Sequence, residues 1–272
     1  TPIGNLGDIT CRAVEMLRTA DLIAAEDTRH TRGLLAHYDI HTPMTSYHEH
    51  NKDAKGPELI ARMQAGETIV CVSDAGLPGI ADPGGDLVRR AVAAGISVTP
   101  LPGANAALSA LICAGLPLEG FTFVGFLPRK EKKRRELLAR VAAYPETLIF
   151  YEAPHRLRET LSALVGSLGA ERPAAAAREL TKKFEEFRRT TLGELLAYYR
   201  ENEPRGEFVL IVAGADENAA GTADAAEEMS LTERYAAHIA NGLDKKEAMR
   251  RTAQELGISR RAVYQAVLAG DV

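Results

Sequence analysis

The segment TIVCVSDAGLPGIADPGGDLVRRAVA, residues 68–93, contains the unit from which the fold can be inferred. It begins with a run of β-branched and apolar residues at 68–73, which is typical of a buried strand. A loop rich in glycine and proline follows at 73–85, and apolar residues at helical spacing continue through 86–94. A strand that passes through a loop into a helix is the repeating unit of α/β proteins.

The same alternation extends in both directions along the 272 residues. Further strand patterns occur at residues 22–25, 97–101, 121–126, 147–151, 174–178 and 207–213, and further helical patterns at 57–65, 105–114, 132–143, 156–168 and 192–202. We therefore predict an α/β protein in which helices pack on sheets. Because the sequence opens with a loop, we also expect a strand to precede Thr1.

The domain organisation follows from changes in composition. Residues 115–118 mark a weakly defined domain boundary, so we predict α/β subdomains at 1–116 and 117–213. Residues 214–229 are rich in alanine, glycine and acidic side chains, which is typical of a flexible linker. Residues 230–272 contain three helical patterns that resemble a helix-turn-helix, with Ser259 as the N-cap of the third helix.

Composition sets limits on the class of protein. The chain is 46% hydrophobic, enough to bury a sizeable core, and its net charge of −4 argues mildly against a nucleic-acid partner. Basic residues nevertheless cluster, with a net charge of +5 over 129–135 and +4 over 245–261. No apolar run is long enough to cross a bilayer and no signal peptide is visible, so we expect a cytoplasmic protein without a membrane partner. The cysteines Cys11, Cys71 and Cys113 follow no metal spacing, and we expect no metal site.

Three loops follow strand positions or open the chain, at residues 1–8, 73–85 and 102–107. Ligands of open α/β sheets bind at the carboxyl ends of the strands, where glycine lets the backbone approach a ligand closely. None of the loops has the spacing of a dinucleotide fingerprint or a P-loop. The loops therefore indicate a small-molecule or nucleotide site of open identity, with tight structural turns as the alternative.

In this order, the loops resemble those of the tetrapyrrole methylase family, the class III S-adenosylmethionine-dependent methyltransferases. The resemblance covers nearly the whole chain. It is carried by TPIGNLGDIT (1–10), AAEDTRHTRGLL (24–35), YHEHN (47–51), SDAGLPGIADPG (73–84), PGANA (102–106), GFLPRK (125–130), FYEAPHR (150–156), RELTKKFEE (178–186) and GEFVLIV (206–212).

The resemblance implies a two-domain fold, a homodimer, and S-adenosylmethionine as a cofactor held in the cleft between the domains. Strand ends near Arg178 and residues 206–208 are expected to close over the adenine. Many members have threonine where this chain has Leu77, so no side-chain hydroxyl is available there and the backbone amide remains. The implied cofactor contacts are Pro2, Ser73, Asp74, Ala75, Gly76, Leu77, Ile80, Asn105, Ala106 and Glu152.

The resemblance also implies methylation of a ribose 2′-hydroxyl, on a cytidine in the decoding region of the 16S RNA of the small ribosomal subunit. Phosphate contacts are expected from Arg29, from Arg129 and Lys130, and from Arg260 and Arg261 in the helical unit. For Arg129 and Lys130 the alternative is a solvated helix face. For the helical unit the alternative is a small cap or a dimerisation element.

Methyl transfer is an in-line displacement, so positioning can supply much of the rate. A ribose hydroxyl is a poor nucleophile and benefits from a base or a cation. We predict Asp27, His48 and Lys182 as catalytic candidates, with Glu26 beside Asp27. In the alternative, Asp27 caps a helix at 28–37, His48 is a loop residue, and Lys182 pairs with one of the acidic residues at 185–186.

Two other functions account for part of the pattern. A methyltransferase for corrin or porphyrin precursors would share the fold but would not need the helical unit. A nucleotide-sensing helix-turn-helix protein that binds nucleic acid would use that unit, but it leaves the polar motifs EDTRHT, YHEHN and RELTKKFEE without a role.

Overall fold

The computed structural model describes residues 1–215, 231–240, 243–256 and 258–269. The chain divides into two compact units, Thr1–Gly214 and Ala215–Val272. The predicted linker at 214–229 falls outside the described residues from 216 onward. No helix in the described ranges is long and apolar enough to span a membrane.

The first unit begins with a parallel sheet of three short strands, β1 (Leu22–Ala25), β2 (Met44–Ser46) and β3 (Ile69–Val72). Their order is β2-β1-β3, so the fully buried β1 lies in the middle. Because the strands are parallel, they end at the same edge of the sheet, where Glu26, Tyr47 and Ser73 follow them. The accompanying helices are α1 (Cys11–Thr19), α2 (Thr28–His37), α3 (Lys52–Gln64) and α4 (Gly84–Ala93).

A second sheet of five strands follows, in the order β4-β5-β8-β6-β7. Only β4 and β5 pair in parallel, and the other pairs are antiparallel. The strands are β4 (Phe121–Phe126), β5 (Thr147–Glu152), β6 (Pro173–Arg178), β7 (Glu186–Thr191) and β8 (Phe208–Val212).

The central strand β8 reads FVLIV and is buried at every residue, because helices cover both faces of the second sheet. On one face, α6 (Glu131–Val141), α7 (Leu157–Leu168) and α8 (Leu192–Glu201) pack on residues such as Leu210. On the other face, α5 (Ala106–Cys113) packs on Ile211. Full burial of one such side chain contributes about 1.5–3 kcal/mol. The helix α5 therefore belongs to the core of the second sheet, although it precedes that sheet in the chain.

The prediction of a strand at residues 97–101 is wrong. The segment forms no regular element and pairs with no strand of the three-stranded sheet, whose order ends at β3, and Val98 is 44% exposed. A sequence that favours a strand is not sufficient, because the backbone also needs a neighbouring strand with which to form hydrogen bonds. Conversely, β2 and β7 were not predicted, since β2 has three residues and β7 is a polar edge strand.

The second unit contains the helices α9 (Leu231–Ala240), α10 (Lys245–Glu255) and α11 (Arg260–Ala269). Ala248, Ala253 and Val263 are buried between them. The Ser259 hydroxyl accepts a hydrogen bond from the amide of Ala262, which confirms the predicted N-cap of the third helix.

Candidate functional site

A cavity of about 470 Å³ opens in the first unit, a volume suited to a ligand of nucleoside size. The loop after β3 forms one side and the carboxyl end of β5 forms another. The start of β8, the loop after β6, the end of β4 and the start of α5 also contribute, and Glu26 lies at the end of β1. The two sheets thus contribute to one site.

Most of the predicted cofactor residues line this cavity. Pro2 does not line it, but its carbonyl accepts a hydrogen bond from the Gly76 amide at 3.3 Å, and the neighbouring Ile3 reaches the cavity. The predicted residues in the lining are Ser73, Asp74, Ala75, Gly76, Leu77, Ile80, Asn105, Ala106 and Glu152.

The loop after β3 is held in shape by its own hydrogen bonds. Gly76 has φ +78°, and a Cβ at this position would lie 3.1 Å from the carbonyl oxygen of Ala104, so the turn requires glycine. The buried Ser73 hydroxyl donates to the carbonyl of Gly76. One carboxylate oxygen of Asp82 accepts from the amides of Gly79 and Gly84, both at 2.7 Å. The loop is therefore shaped before any ligand binds.

Glu152 provides a fixed carboxylate at the end of β5. It is buried, and its oxygens accept hydrogen bonds from the Thr160 hydroxyl at 2.5 Å and from the Ala153 amide at 2.9 Å. The guanidinium of Arg156 lies 3.6 Å away and balances the charge. A buried carboxylate with these partners keeps one orientation toward the cavity.

Aromatic side chains form an apolar wall of the cavity. A register shift in β4 between Phe123 and Gly125, where Gly125 has φ +74°, precedes Phe126, which lines the cavity and is 51% exposed. The rings of Phe123 and Phe126 contact Tyr151 edge-on. The Tyr151 hydroxyl accepts a hydrogen bond from the Ala107 amide and so connects β5 to α5. Such a wall suits a flat heterocycle.

Glu26 and Asp74 form an acidic edge. The Asp74 amide donates to a carboxylate oxygen of Glu26 at 3.2 Å, and the Asp27 amide donates to Asp74. Burial raises the pKa of Glu26, the hydrogen bond from Asp74 opposes this, and the neighbouring carboxylates of Asp74, Asp82 and Asp27 add to the rise. Glu26 is therefore a cavity carboxylate whose pKa lies closer to neutrality than usual.

Lys182 is the cation of the cavity lining, and the acidic residues at 185–186 are not its partners. Its Nζ atom lies 2.9 Å from Glu179 and 2.7 Å from Glu207. Burial lowers the pKa of Lys182, but these two carboxylates outweigh that effect and leave it raised. The segment is not helical, since Glu179 and Thr181 have positive φ. Lys182 therefore stays charged near neutral pH and does not act as a base.

Asp27 lies outside the cavity lining. It is the N-cap of α2, which was the alternative to a catalytic role. Its carboxylate accepts from the Arg29 amide at 2.8 Å and caps α2. The Arg29 guanidinium pairs with it at 2.8 Å and holds the pKa of Asp27 far below its usual range. With its carboxylate held in this way, Asp27 is a poor general base.

His48 also lies outside the lining, just after β2, and is half-buried. Its amide donates to the Asn51 side chain, while the ring Nδ1 is buried and has no hydrogen-bond partner among the described residues.

The predicted phosphate contacts are exposed. Arg129 and Lys130 lead into α6, and neither forms an ion pair within the ranges that the structure describes. Arg260 and Arg261 are exposed at the start of α11 in the second unit. Among the described residues, no group of three or more histidine, cysteine or acidic side chains is arranged to hold a metal ion.

The sequence analysis named Glu26 and Asp74 of the acidic edge, but it did not assign the aromatic wall. Phe126 and Tyr151 belong to two of the motifs that carry the resemblance, GFLPRK and FYEAPHR, and both lie near strand ends, so a signal was present. At the strand end near Arg178, which pairs with Glu186 at 3.5 Å, Leu180 lines the cavity. Glu207 and Phe208 do line the cavity.

Comparison with known proteins places this arrangement in context. Residues 1–196 match the family of tetrapyrrole (corrin/porphyrin) methylases. The chain is 50% identical over 265 residues to ribosomal RNA small subunit methyltransferase I of Synechocystis sp., covering 97% of this chain and 94% of that protein. It is 46% identical over 267 residues to the protein of the same name in Bacillus subtilis, covering 98% and 91% of the two chains.

Solved structures share the fold. A cobalt precorrin-4 methyltransferase superposes with a TM-score of 0.57 at 17% identity, covering 77% of this chain and 90% of that one. Uroporphyrin-III C-methyltransferase from Thermus thermophilus, complexed with S-adenyl homocysteine, gives a TM-score of 0.53 at 20% identity, covering 77% and 93%. The predicted tetrapyrrole-methylase-like α/β fold is thus confirmed.

Proposed function

Because the chain belongs to the tetrapyrrole (corrin/porphyrin) methylase family, we propose that it is an S-adenosylmethionine-dependent methyltransferase that acts on RNA of the small ribosomal subunit. The observation that carries this proposal is the extent of similarity. The family match ends at residue 196, whereas the similarity to ribosomal RNA methyltransferases covers 97% of the chain and so includes most of the residues beyond that point. A methyltransferase for corrin precursors would not account for that extension.

The cavity residues fit S-adenosylmethionine. The wall that contains Phe126 and Tyr151 suits the adenine ring, and the fixed carboxylate of Glu152 can accept hydrogen bonds from hydroxyl or amino groups. Acidic side chains outnumber the one lysine in the lining, which favours a ligand with a positive sulfonium. When bound, the cofactor supplies an electrophilic methyl group.

For the finer reaction, we infer methylation of a ribose 2′-hydroxyl of a cytidine in the decoding region. Glu26 is the side chain best placed to accept the hydroxyl proton, because it lines the cavity and its pKa is raised. It takes this role in place of Asp27. Lys182, held charged by two carboxylates, would stabilise the developing alkoxide. His48 stays a prediction without a contact to the cavity.

Exposed cations are proposed to hold the RNA backbone. Arg129 and Lys130 follow Phe126 of the cavity wall by three and four residues, so a phosphate bound there would lie close to the site. Arg260 and Arg261 would grip RNA from the second unit. Arg29 contributes less, because Asp27 neutralises it. We also propose a homodimer, which light scattering coupled to size-exclusion chromatography would test.

The deciding experiment is a methyl-transfer assay. Purified protein and labelled S-adenosylmethionine are mixed with small ribosomal subunits from cells that lack this enzyme, and the product is mapped by nuclease digestion and mass spectrometry. A single 2′-O-methylated cytidine is expected. Labelling on a base would overturn the ribose assignment. Binding of the cofactor without any RNA label would overturn the RNA assignment and favour a tetrapyrrole precursor as the substrate.

A further inference from the structure

The loop between β6 and β7 has an unusual backbone conformation that is held by its hydrogen bonds and packing. Two of its non-glycine residues have positive φ, Glu179 at 50° and Thr181 at 66°. The Glu179 carboxylate holds the Glu207 amide at 3.0 Å, and the Thr181 amide donates to Glu185 at 2.5 Å. Leu180 anchors the loop in the apolar cluster beneath α5. Strained backbone that is held this firmly tends to occur at functional sites.

Phe184 projects from this loop. Its side chain is 64% exposed, the largest fraction among the seven phenylalanines of the chain, so packing within the described structure does not account for it. The Nζ atom of the exposed Lys183 lies 5.6 Å from the centre of its ring. The loop thus presents an aromatic ring and a positive charge together.

Phe184 is close in sequence to residues that line the cavity. Leu180 and Lys182 of the same loop line the cavity, and the Glu185 amide donates to the Lys182 carbonyl at 3.1 Å. This hydrogen bond closes a turn that contains Phe184. Phe184 is therefore two residues along the chain from Lys182, which lines the cavity. Phe126, which lines the cavity, is a second exposed ring.

We propose that Phe184 is a stacking surface for an unpaired base of the RNA substrate, with Lys183 beside it to contact the adjoining phosphate. The inference rests on the proposed function. A ribose hydroxyl reaches a recessed site only when its nucleotide is splayed out of the RNA helix, and bases displaced in this way stack on aromatic side chains. Every base has a π face, so such a contact supports binding without reading sequence.

The first test compares Phe184→Ala with Phe184→Trp in the methyl-transfer assay on small ribosomal subunits. Removal of the ring from one stacked base should raise KM for the subunits roughly 5- to 150-fold, with no change in Kd for S-adenosylmethionine, and tryptophan should restore binding. Phe121→Ala is the matched control, because Phe121 is 46% exposed but begins β4, at the opposite end of the strand from Phe126. Its KM should equal that of the wild type.

The second test detects the stacking without chemistry. The chain contains no tryptophan, so Phe184→Trp introduces a single tryptophan, which can be excited at wavelengths that the eight tyrosines do not absorb. Titration with protein-free small-subunit ribosomal RNA should quench this fluorophore more strongly than the one introduced by Phe121→Trp, which also corrects for light absorbed by the RNA. Equal quenching, or none, would overturn the proposal.

The methyltransferase activity and the stacking role of Phe184 can be tested separately. If the wild-type protein binds S-adenosylmethionine but does not methylate the subunits, the proposed function is wrong. If the wild type methylates them while Phe184→Ala keeps the same KM, the function stands and the stacking role is wrong.

Discussion

Several single residues of the cavity occupy positions that other side chains cannot fill. Gly76 combines a positive φ with close approach to Ala104, and Glu152 is surrounded by donors that match its two oxygens. Glu26 and Asp27 are neighbours in sequence but differ in role, since one faces the cavity and the other caps α2. Sequence could nominate this carboxylate pair, but the direction of each side chain depends on where β1 ends relative to β3.

Gly76→Ala should weaken binding of S-adenosylmethionine by roughly tenfold or more, because the positive φ costs about 1 kcal/mol and the new Cβ meets the Ala104 carbonyl oxygen. Isothermal titration calorimetry measures the change. Gly95→Ala is the matched control, since Gly95 has φ +72° and open space around its Cα. It should lower Tm without changing affinity, and equal loss of affinity in both variants would contradict this role of the loop.

Glu26→Gln should lower kcat about 10²- to 10⁴-fold while cofactor binding is retained. Only the deprotonated form of Glu26 can accept a proton, so the wild-type rate should rise with pH through its pKa. The pH at the midpoint of this rise in rate should lie above 4.5, the ordinary pKa of glutamate, because the pKa of Glu26 is raised. This part of the profile is the acidic limb. The variant should lose the limb.

Asp27→Asn provides the contrasting variant. Asparagine can still cap α2 but loses the ion pair with Arg29, so stability should change little, and the pH profile of kcat should keep its acidic limb. If the limb disappears in Asp27→Asn and persists in Glu26→Gln, the assignment of the base is reversed.

At the scale of elements, α6 presents positive charge with few partners. Arg134 pairs with Glu159, whereas Lys132, Lys133 and Arg135 are exposed and form no ion pair among the described residues. The basic run was visible in the sequence. Its position after the cavity-lining end of β4 was not, because that depends on the register of the second sheet.

The double variant Arg129→Ala/Lys130→Ala should weaken RNA binding and reduce the slope of log K against log salt by about 2, because each removed cation leaves one phosphate with its counterion. Filter binding at several salt concentrations measures the slope. Arg205→Ala serves as the control, since Arg205 is exposed but paired with Glu203 at 2.7 Å. An unchanged slope in the double variant would mean that these residues are a solvated face.

For the whole molecule, the sequence was most informative where the pattern was local. The α/β alternation and the three helices of the second unit could be read directly. The segment at 97–101 was misread because strand formation depends on a neighbour, and the aromatic half of the cavity was missed because residues distant in sequence assemble it. The placement of α5 against the second sheet likewise depends on contacts between residues that are distant in sequence.

The division into two units predicts how a ligand changes stability. A ligand of the cavity binds the folded first unit, so S-adenosylhomocysteine at 100 times its Kd should stabilise that unit by about 2.7 kcal/mol. Calorimetry should show the main transition shifting upward while a transition from the 215–272 unit stays in place. A single transition that shifts as a whole would show that the units unfold together.

The packing of α5 determines where this protein can be cut. Ala110 and Leu111 of α5 are buried against the second sheet, although the helix precedes residue 116 in the chain. A break at 116–117 would leave an apolar helix attached to the wrong fragment, whereas a break at 97–101, where the chain forms neither helix nor strand, would leave each fragment with its own core. Fragment complementation should therefore succeed for the earlier cut and fail for the later one.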